Sequence, residues 1–503
     1  AIGRADASNA TRSFAPLKPR AVAAADLARH RFTGVAILGV VLLVGAALRL
    51  WLGFADDGIY WPDEIYQSIE QGHRLAFGYG FIAPEFADGI RNWAFPALLG
   101  GIMKVSLLIG WAQPDQYLRV LRVILSIASI ATAWACYRLA RVYGASELSA
   151  AAGAALFALS APMIYFGDRA LSEVASTLPV TLGFALALDR QAGTRQMLAG
   201  ASLLGLAVLL RLENAIFCLA LIAILLGRRQ VTTAVRSFDV LLGWAFLYGL
   251  IDRLTWGQWF HSALGYVWAN VVQAHGSAQS VEAPTYYLHV LATSMLAPAL
   301  CIAIFGLLTF HRAPGLLLTV AAFFALHTLT PHKELRFLVP DLPLACALAA
   351  IGADTARRYI HPAWAPGVML TASVLSAAGF HQLSMHDVGQ LSFAPSQSAY
   401  DLNGGVNRLL LIAGRQQDLC GIKVEATARV WTGGYSYLHR QVPFYSSIGP
   451  PTQTGLYDYV ITTRDRVASG TVRAYDGSDA LVRLPNATCA KDPSYSYVLP
   501  IDQ

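Results

Sequence analysis

Charged side chains are scarce in this chain. Asp, Glu, Lys and Arg together make up 14% of its 503 residues, against about 25% in a soluble domain. With 55% hydrophobic residues and a mean hydropathy of +0.47, the deficit points to an integral membrane protein. The chain also lacks a glycine-rich phosphate loop, a Cys/His metal cluster and a Gly-x-Ser-x-Gly elbow. No nucleotide cradle, metal centre or hydrolase nucleophile is therefore legible. Residues 1–31 have no apolar core of signal-peptide type and read as a basic, Ala-rich cytoplasmic tail. No internal repeat is evident.

What is present is organised by arginine. The net charge of +6 and pI near 9.0 come from arginines flanking apolar runs, as the positive-inside rule expects, so no nucleic-acid partner is implied. A span needs roughly 17–25 residues, and spans, several of them short, are expected at 33–53, 118–137, 147–166, 171–188, 196–211, 213–227, 238–252, 287–309, 314–330, 337–353 and 364–380. The apolar stretch 93–111 carries Lys104 and a Gly-Gly pair. If it lies flat on the outer face, Arg138, Arg141, Arg190, Arg195, Arg228, Arg229, Arg236, Arg312, Arg357 and Arg358 all fall inside. The expected fold is an α-helical polytopic membrane protein of about eleven spans, with interfacial helices in the first outer loop.

From His381 onward the apolar runs shorten. Val460-Ile-Thr-Thr and Ala480-Leu-Val-Arg-Leu read as strands beside an Asp476-Gly-Ser-Asp turn. The chain therefore divides into a tail (1–31), a transmembrane domain (32–380) and a small extracytoplasmic α/β domain (381–503). Cys136, Cys218, Cys301 and Cys346 lie in apolar runs and read as packing residues. Cys420 and Cys489 could form one disulfide if their domain is extracytoplasmic, and the sequence leaves the pairing open. Asn9-Ala-Thr and Asn486-Ala-Thr match the short glycosylation acceptor pattern.

This topology gathers on one face the charges that do not anchor spans. Asp63 and Glu64 follow Trp61-Pro62 and open a helix running to about Leu75. They suit a general base or a complement to the helix dipole. Glu85, Asp88 and Arg91 follow in a loop, either as a surface Asp–Arg pair or as ligand contacts. Arg211 and Glu213, wedged between two spans, form a buried ion pair or touch ligand. His332, Lys333 and Arg336 emerge together from hydrocarbon, and a phosphate is their natural partner; interfacial snorkelling is the plainer account. Trp259 and Tyr287 belong to an aromatic group that either forms an interfacial belt or grips sugar or lipid.

At these residues the chain resembles a known family. Trp-Pro-Asp-Glu-Ile-Tyr-Gln-Ser-Ile-Glu-Gln-Gly-His at 61–73 is similar to the His-Pro-Asp-Glu-x-x-Gln-x-x-Glu-x-x-His motif of glycosyltransferase family 22, the GT-C mannosyltransferases of GPI-anchor and N-glycan assembly. Ala83-Pro-Glu-Phe with Ile90-Arg-Asn and Pro96, Asp252-Arg-Leu-Thr-Trp-Gly-Gln-Trp, the Asn270 to Ser277 spacing, and His332-Lys-Glu-Leu-Arg-Phe resemble its later blocks, in order. Trp61 stands where the family usually has His, and Ala83-Pro-Glu-Phe lacks the family's two Trp residues.

The resemblance implies a GT-C fold and inverting transfer of a sugar from a polyprenyl-phosphate donor to a lipid or glycan acceptor at the outer face. By the same resemblance Asp63 would act as base, with Glu64 or Glu85 placing the acceptor. Lys333 and Arg336, with His332, would hold the donor phosphate, and Arg211 is a further candidate there. Asp88, Arg91, Trp259 and Tyr287 are candidates for contacts to donor or acceptor. No cofactor or metal is required. The competing function is a transporter or flippase of lipid-linked sugar, which would move substrate without forming a glycosidic bond. Both the base and the phosphate-site readings predict that segments 61–64 and 332–336 are labelled by a membrane-impermeant reagent from the same side. Labelling from opposite sides would end the reading.

Overall fold

The computed structural model describes residues 19–272, 281–446, 455–467, 469–485 and 489–499, with side chains described from Phe32. Both Asn-Ala-Thr sequons, Gly276-Ser277 and residues 1–18 of the expected tail lie outside the described residues. The backbone is already helical from Pro19, and the first helix, Pro19–Ala55, carries the first apolar run.

Each of the eleven apolar runs folds as helix, but the expected count of spans is not reached by length. Among the described residues, four helices are long and apolar enough to cross a bilayer: Phe32–Ala55, Pro114–Val142, Val231–Trp256 and Tyr286–Leu307. A fifth candidate is the pair Glu147–Ala158 and Ala161–Asp168, bent by 65°. Others, such as Ser172–Ala187, Thr194–Leu210 and Pro314–Leu329, have at most 17 residues. At about 1.5 Å per residue they are shorter than a hydrocarbon core of roughly 30 Å.

Small residues let these helices close on one another. In Glu147–Ala158 every position from Ser149 on is buried, and a Cβ on Gly153 would come within 2.8 Å of the Cys346 carbonyl oxygen on Leu342–Ala356. This close packing replaces the hydrophobic drive that lipid cannot supply. The bend at Ser160-Ala161-Pro162 frees carbonyls that need donors. Arg49, fully buried on the first helix, supplies them: its guanidinium donates to the carbonyls of Ala158 (2.7 Å) and Met163 (2.9 Å) and to Ser129 Oγ (2.9 Å).

The first outer segment folds back over the bundle. A π-helical stretch, Glu64–Ile69, runs into helix Glu70–Phe77, which Gly78 ends at φ 86°. Helix Ala94–Leu108 occupies the ambiguous stretch 93–111. It packs on Glu70–Phe77 where a Cβ on Gly100 would lie 2.7 Å from the Gly72 carbonyl oxygen, so a side chain at this crossing would push the two helices apart.

The C-terminal part forms a five-stranded sheet in the order β2-β1-β3-β5-β4. The strands are β1 (Ile422–Val424), β2 (Phe444–Ser446), β3 (Tyr459–Thr463), β4 (Thr471–Asp476) and β5 (Asp479–Arg483). β1 pairs in parallel with β2 and β3, and β5 runs antiparallel to β3 and β4. The two strands expected from sequence are β3 and β5, and Gly477 at φ 56° makes the β4–β5 turn. Helix Gly404–Gly414 packs on the sheet. Cys420 and Cys489 form a disulfide across a separation of 69 residues. Replacing Cys420 with Ala should cost about 2–4 kcal/mol of this domain's stability. Denaturant unfolding measures the loss, and a non-reducing gel should show that the wild type runs faster than the variant.

Candidate functional site

Asp63 and Arg336, 273 residues apart in sequence, meet in space: Arg336 Nη2 donates to Asp63 Oδ2 at 2.5 Å. Pro62 orients the turn that places Asp63 at the head of the π-helical stretch. Arg336 comes from a short 3-10 turn, Leu335–Leu338, between two apolar helices. The early acid and the late basic cluster thus share one site.

Arg336 is almost wholly buried, and three carboxylates answer its charge. Glu334 Oε1 lies 2.7 Å away and Glu173 Oε1 3.5 Å away, with Asp63 the third. Glu173 also reaches Arg211 Nη1 at 2.7 Å, and Arg211 Nη2 pairs with Glu213 at 3.0 Å. The chain of charges continues to Tyr266, whose hydroxyl donates to Glu213. Of the carboxylates on Arg336 only Asp63 has appreciable exposure, 24% of its side chain against 3% for Glu173 and 4% for Glu334. Asp63 is therefore the member free to exchange partners.

The remaining predicted residues divide. His332 Nε2 lies 3.1 Å from Glu334 Oε1. Burial alone pushes the Glu334 carboxyl up, but Arg336 and the His332 imidazole outweigh it and bring it down to about 2. Tyr60 and Gln390 donate to its other oxygen. Lys333 turns its ammonium to the carbonyls of Glu282 (2.9 Å) and Pro331 (3.4 Å). Glu64 is buried beneath Asp63, where it accepts the Tyr60 N–H at 2.9 Å and faces Arg169 at 3.6 Å. It acts as a brace for the turn. Glu85 accepts from Gln67 at 2.7 Å; burial and the nearby Asp63 charge push its carboxyl up. Asp88 is exposed and caps the turn Pro84–Ala87 through its backbone N–H. Arg91 lies over the Tyr266 ring at 5.5 Å and forms no ion pair among the described residues, so of the two readings of this loop the surface Asp88–Arg91 pair is not formed.

A cavity of about 60 Å³ opens beside this network, walled by Gln67, Ser68, Arg91, Ser172, Arg211, Glu213, Tyr248 and Tyr266. Phe86, Ile90, Phe95 and Leu210 complete a wall that is as much apolar as polar, and the space is large enough for a few waters. Its wall carries two guanidinium groups, Arg91 and Arg211, and one carboxylate, Glu213. Trp259 and Tyr287 do not reach it. Trp259 packs on Phe246 and Phe260 and is 44% exposed. Tyr287 is fully buried against Tyr286 and Phe324.

Sequence reasoning gave no role to several residues the structure places here. Glu173 is the shared counter-ion of both arginines, and its signal was available: a carboxylate opening an apolar run. Arg169 and Asp56, a buried pair behind Glu64, and Gln390, from beyond the transmembrane part, carried no local signal.

Known proteins share this arrangement of elements. Residues 40–394 match the sequence profile of the Alg9-like mannosyltransferase family. GPI mannosyltransferase 3 of Yarrowia lipolytica is 25% identical over 72% of this chain and 70% of its own length. GPI alpha-1,2-mannosyltransferase 3 of Homo sapiens is 25% identical over 64% of this chain and 59% of its own. Among solved structures, ArnT from Cupriavidus metallidurans bound to undecaprenyl phosphate superposes with a TM-score of 0.54 at 14% identity, over 91% of this chain and 99% of that one. The oligosaccharyltransferase AglB from Archaeoglobus fulgidus, in complex with an inhibitory peptide and a dolichol-phosphate, gives 0.53 at 12% identity, over 86% and 69%. These likenesses fix the fold as that of membrane glycosyltransferases, with the expected helical bundle and small C-terminal sheet.

Arg336→Gln leaves the buried Glu334 carboxylate without its arginine, while Glu173 keeps Arg211. That should cost about 3–5 kcal/mol, read as a drop in thermal unfolding temperature. An unchanged temperature would show that the network is absent.

Proposed function

The chain belongs to the Alg9-like mannosyltransferase family, and we propose that it transfers a sugar, mannose or another hexose or pentose, from a polyprenyl-phosphate donor to a lipid or glycan acceptor at the extracytoplasmic face. The observation that carries this reading is the Asp63–Arg336 contact beside a cavity whose wall includes Arg91 and Arg211. The acceptor hydroxyl gives its proton to Asp63. Its oxygen bonds to the anomeric carbon as the bond from that carbon to the phosphate oxygen breaks, and the lipid phosphate leaves from the opposite side, so the configuration inverts. Proton and charge balance, because the carboxylate gains the proton and the phosphate the electron pair.

Arg336, Arg211 and Lys333, with His332, answer the charge that grows on the phosphate. The donor phosphate competes with Asp63 for Arg336, so donor binding itself releases the base for the acceptor. A phosphate is already a good leaving group, and the reaction needs no strong general acid, cofactor or metal. Arg91, on the cavity wall, and Glu85, bonded to the wall residue Gln67, would orient sugar hydroxyls.

Three observations support the finer points. The ArnT and AglB structures hold undecaprenyl phosphate and dolichol-phosphate, the donor lipids' chemical class. The GPI mannosyltransferase relatives favour mannose. The Cys420–Cys489 disulfide fits an oxidising compartment for the face that bears the site. Incubating the purified protein with defined polyprenyl-phosphate sugars and identifying the product by mass spectrometry tests the function. Asp63→Asn should lower kcat by about 10²–10⁴-fold while the protein stays folded. Undiminished turnover would remove Asp63 as base.

A further inference from the structure

Glu70 lies seven residues, about two helical turns, beyond Asp63 on the same folded-back segment. Its side chain is fully buried, and among the described residues it pairs with no cation. Instead it accepts three backbone N–H groups: Phe81 to Oε1 at 2.8 Å, Tyr435 to Oε1 at 3.1 Å and Ser436 to Oε2 at 2.8 Å. Two of these donors belong to the C-terminal domain. The cradle is built to fit. Gly434, at φ 57°, would bring a Cβ within 3.0 Å of Glu70 Oε2, so a side chain there would crowd the carboxylate. Around it the same two segments meet repeatedly. Tyr66 donates to the Arg429 carbonyl at 2.6 Å, His73 Nε2 lies 3.1 Å from His439 Nδ1, and Trp61 meets Trp431 edge-on at 5.0 Å between ring centroids.

We propose that Glu70 is a positioning residue that bolts the C-terminal domain to the segment carrying Asp63, so that this domain sets the placement of the base. The proposal rests on the reading of Asp63 as base. Its logic is mechanical. The stretch between Asp63 and Glu70 is π-helical, a geometry that rarely holds without outside support. Ion pairs to Arg336 and, through Glu64, to Arg169 fix its front end. Its rear end is fixed by Glu70 and the C-terminal backbone. Arg336 and Arg211 are held by other elements, so loosening the bolt moves the base and leaves the phosphate site in place.

Glu70→Gln keeps the shape but turns one acceptor oxygen into a donor facing an N–H. Transfer by full-length Glu70→Gln, compared with wild type, should show kcat lower by about 10–100-fold, the scale of a displacement of about 1 Å. The KM for the polyprenyl-phosphate donor should stay within about twofold. Ser436→Pro, which removes one of the donors from the other side, should reproduce that split. Hydrogen exchange gives a readout independent of transfer: amides in 62–77 and in 434–438 should exchange at least about tenfold faster together in Glu70→Gln. If the wild type transfers no sugar, the Asp63 reading fails while faster paired exchange still upholds the bolt. A kcat within twofold of wild type, a donor KM rising in step with the fall in kcat, or exchange that quickens in only one segment would overturn the proposal.

Discussion

A buried guanidinium in a short turn between two apolar helices is the constraint on which this site depends. Arg336 is held almost out of water, where an unpaired charge is prohibitively costly. Glu334 comes from two residues away, but Asp63 and Glu173 must be delivered from other parts of the chain. That demand draws the 61–69 segment, the head of helix Ser172–Ala187 and the 332–338 turn to one point. Arg211 enters through the shared Glu173 and extends the network to the cavity. A site assembled in this way is rigid at its centre and labile at the one carboxylate that meets solvent. On the function we propose, that is the carboxylate that would exchange an internal partner for a substrate proton.

The C-terminal sheet belongs to the same construction. It supplies Tyr435 and Ser436 to Glu70, the Arg429 carbonyl to Tyr66, and Trp431 to Trp61. The loop that links it to the bundle supplies Gln390 to Glu334. The family match ends at residue 394, yet the site's surroundings do not. The departure of Trp61 from the family's usual His has a physical correlate here, because the indole ring fills the space against Phe393 and Trp431.

Much of the helical layout was legible because an apolar run in a low-charge chain has few alternatives to helix: a backbone in lipid must satisfy its own hydrogen bonds. Lengths were less legible. Runs such as 171–188 read as full spans, but their helices stop at 16 or 17 residues, where Leu171 and Arg211 adopt extended backbone. Strands β3 and β5 were readable from β-branched residues beside a turn, whereas β1 and β2, three residues each, were too short to leave a pattern.

The sequence by itself determined which chemistry was available. It set two acids after Pro62, three cationic groups within 332–336, and motif spacing that names the family. Each is a local property, readable because helix periodicity and turn residues act over a few positions. Only the tertiary structure decided the partnerships. It gave Arg336 to Asp63, shared Glu173 between two arginines, turned Lys333 toward carbonyls, buried Tyr287, and locked Glu70 onto a backbone some 365 residues away. These outcomes are set by how buried charges find counter-charges across the fold, a balance of desolvation and pairing that no local window contains.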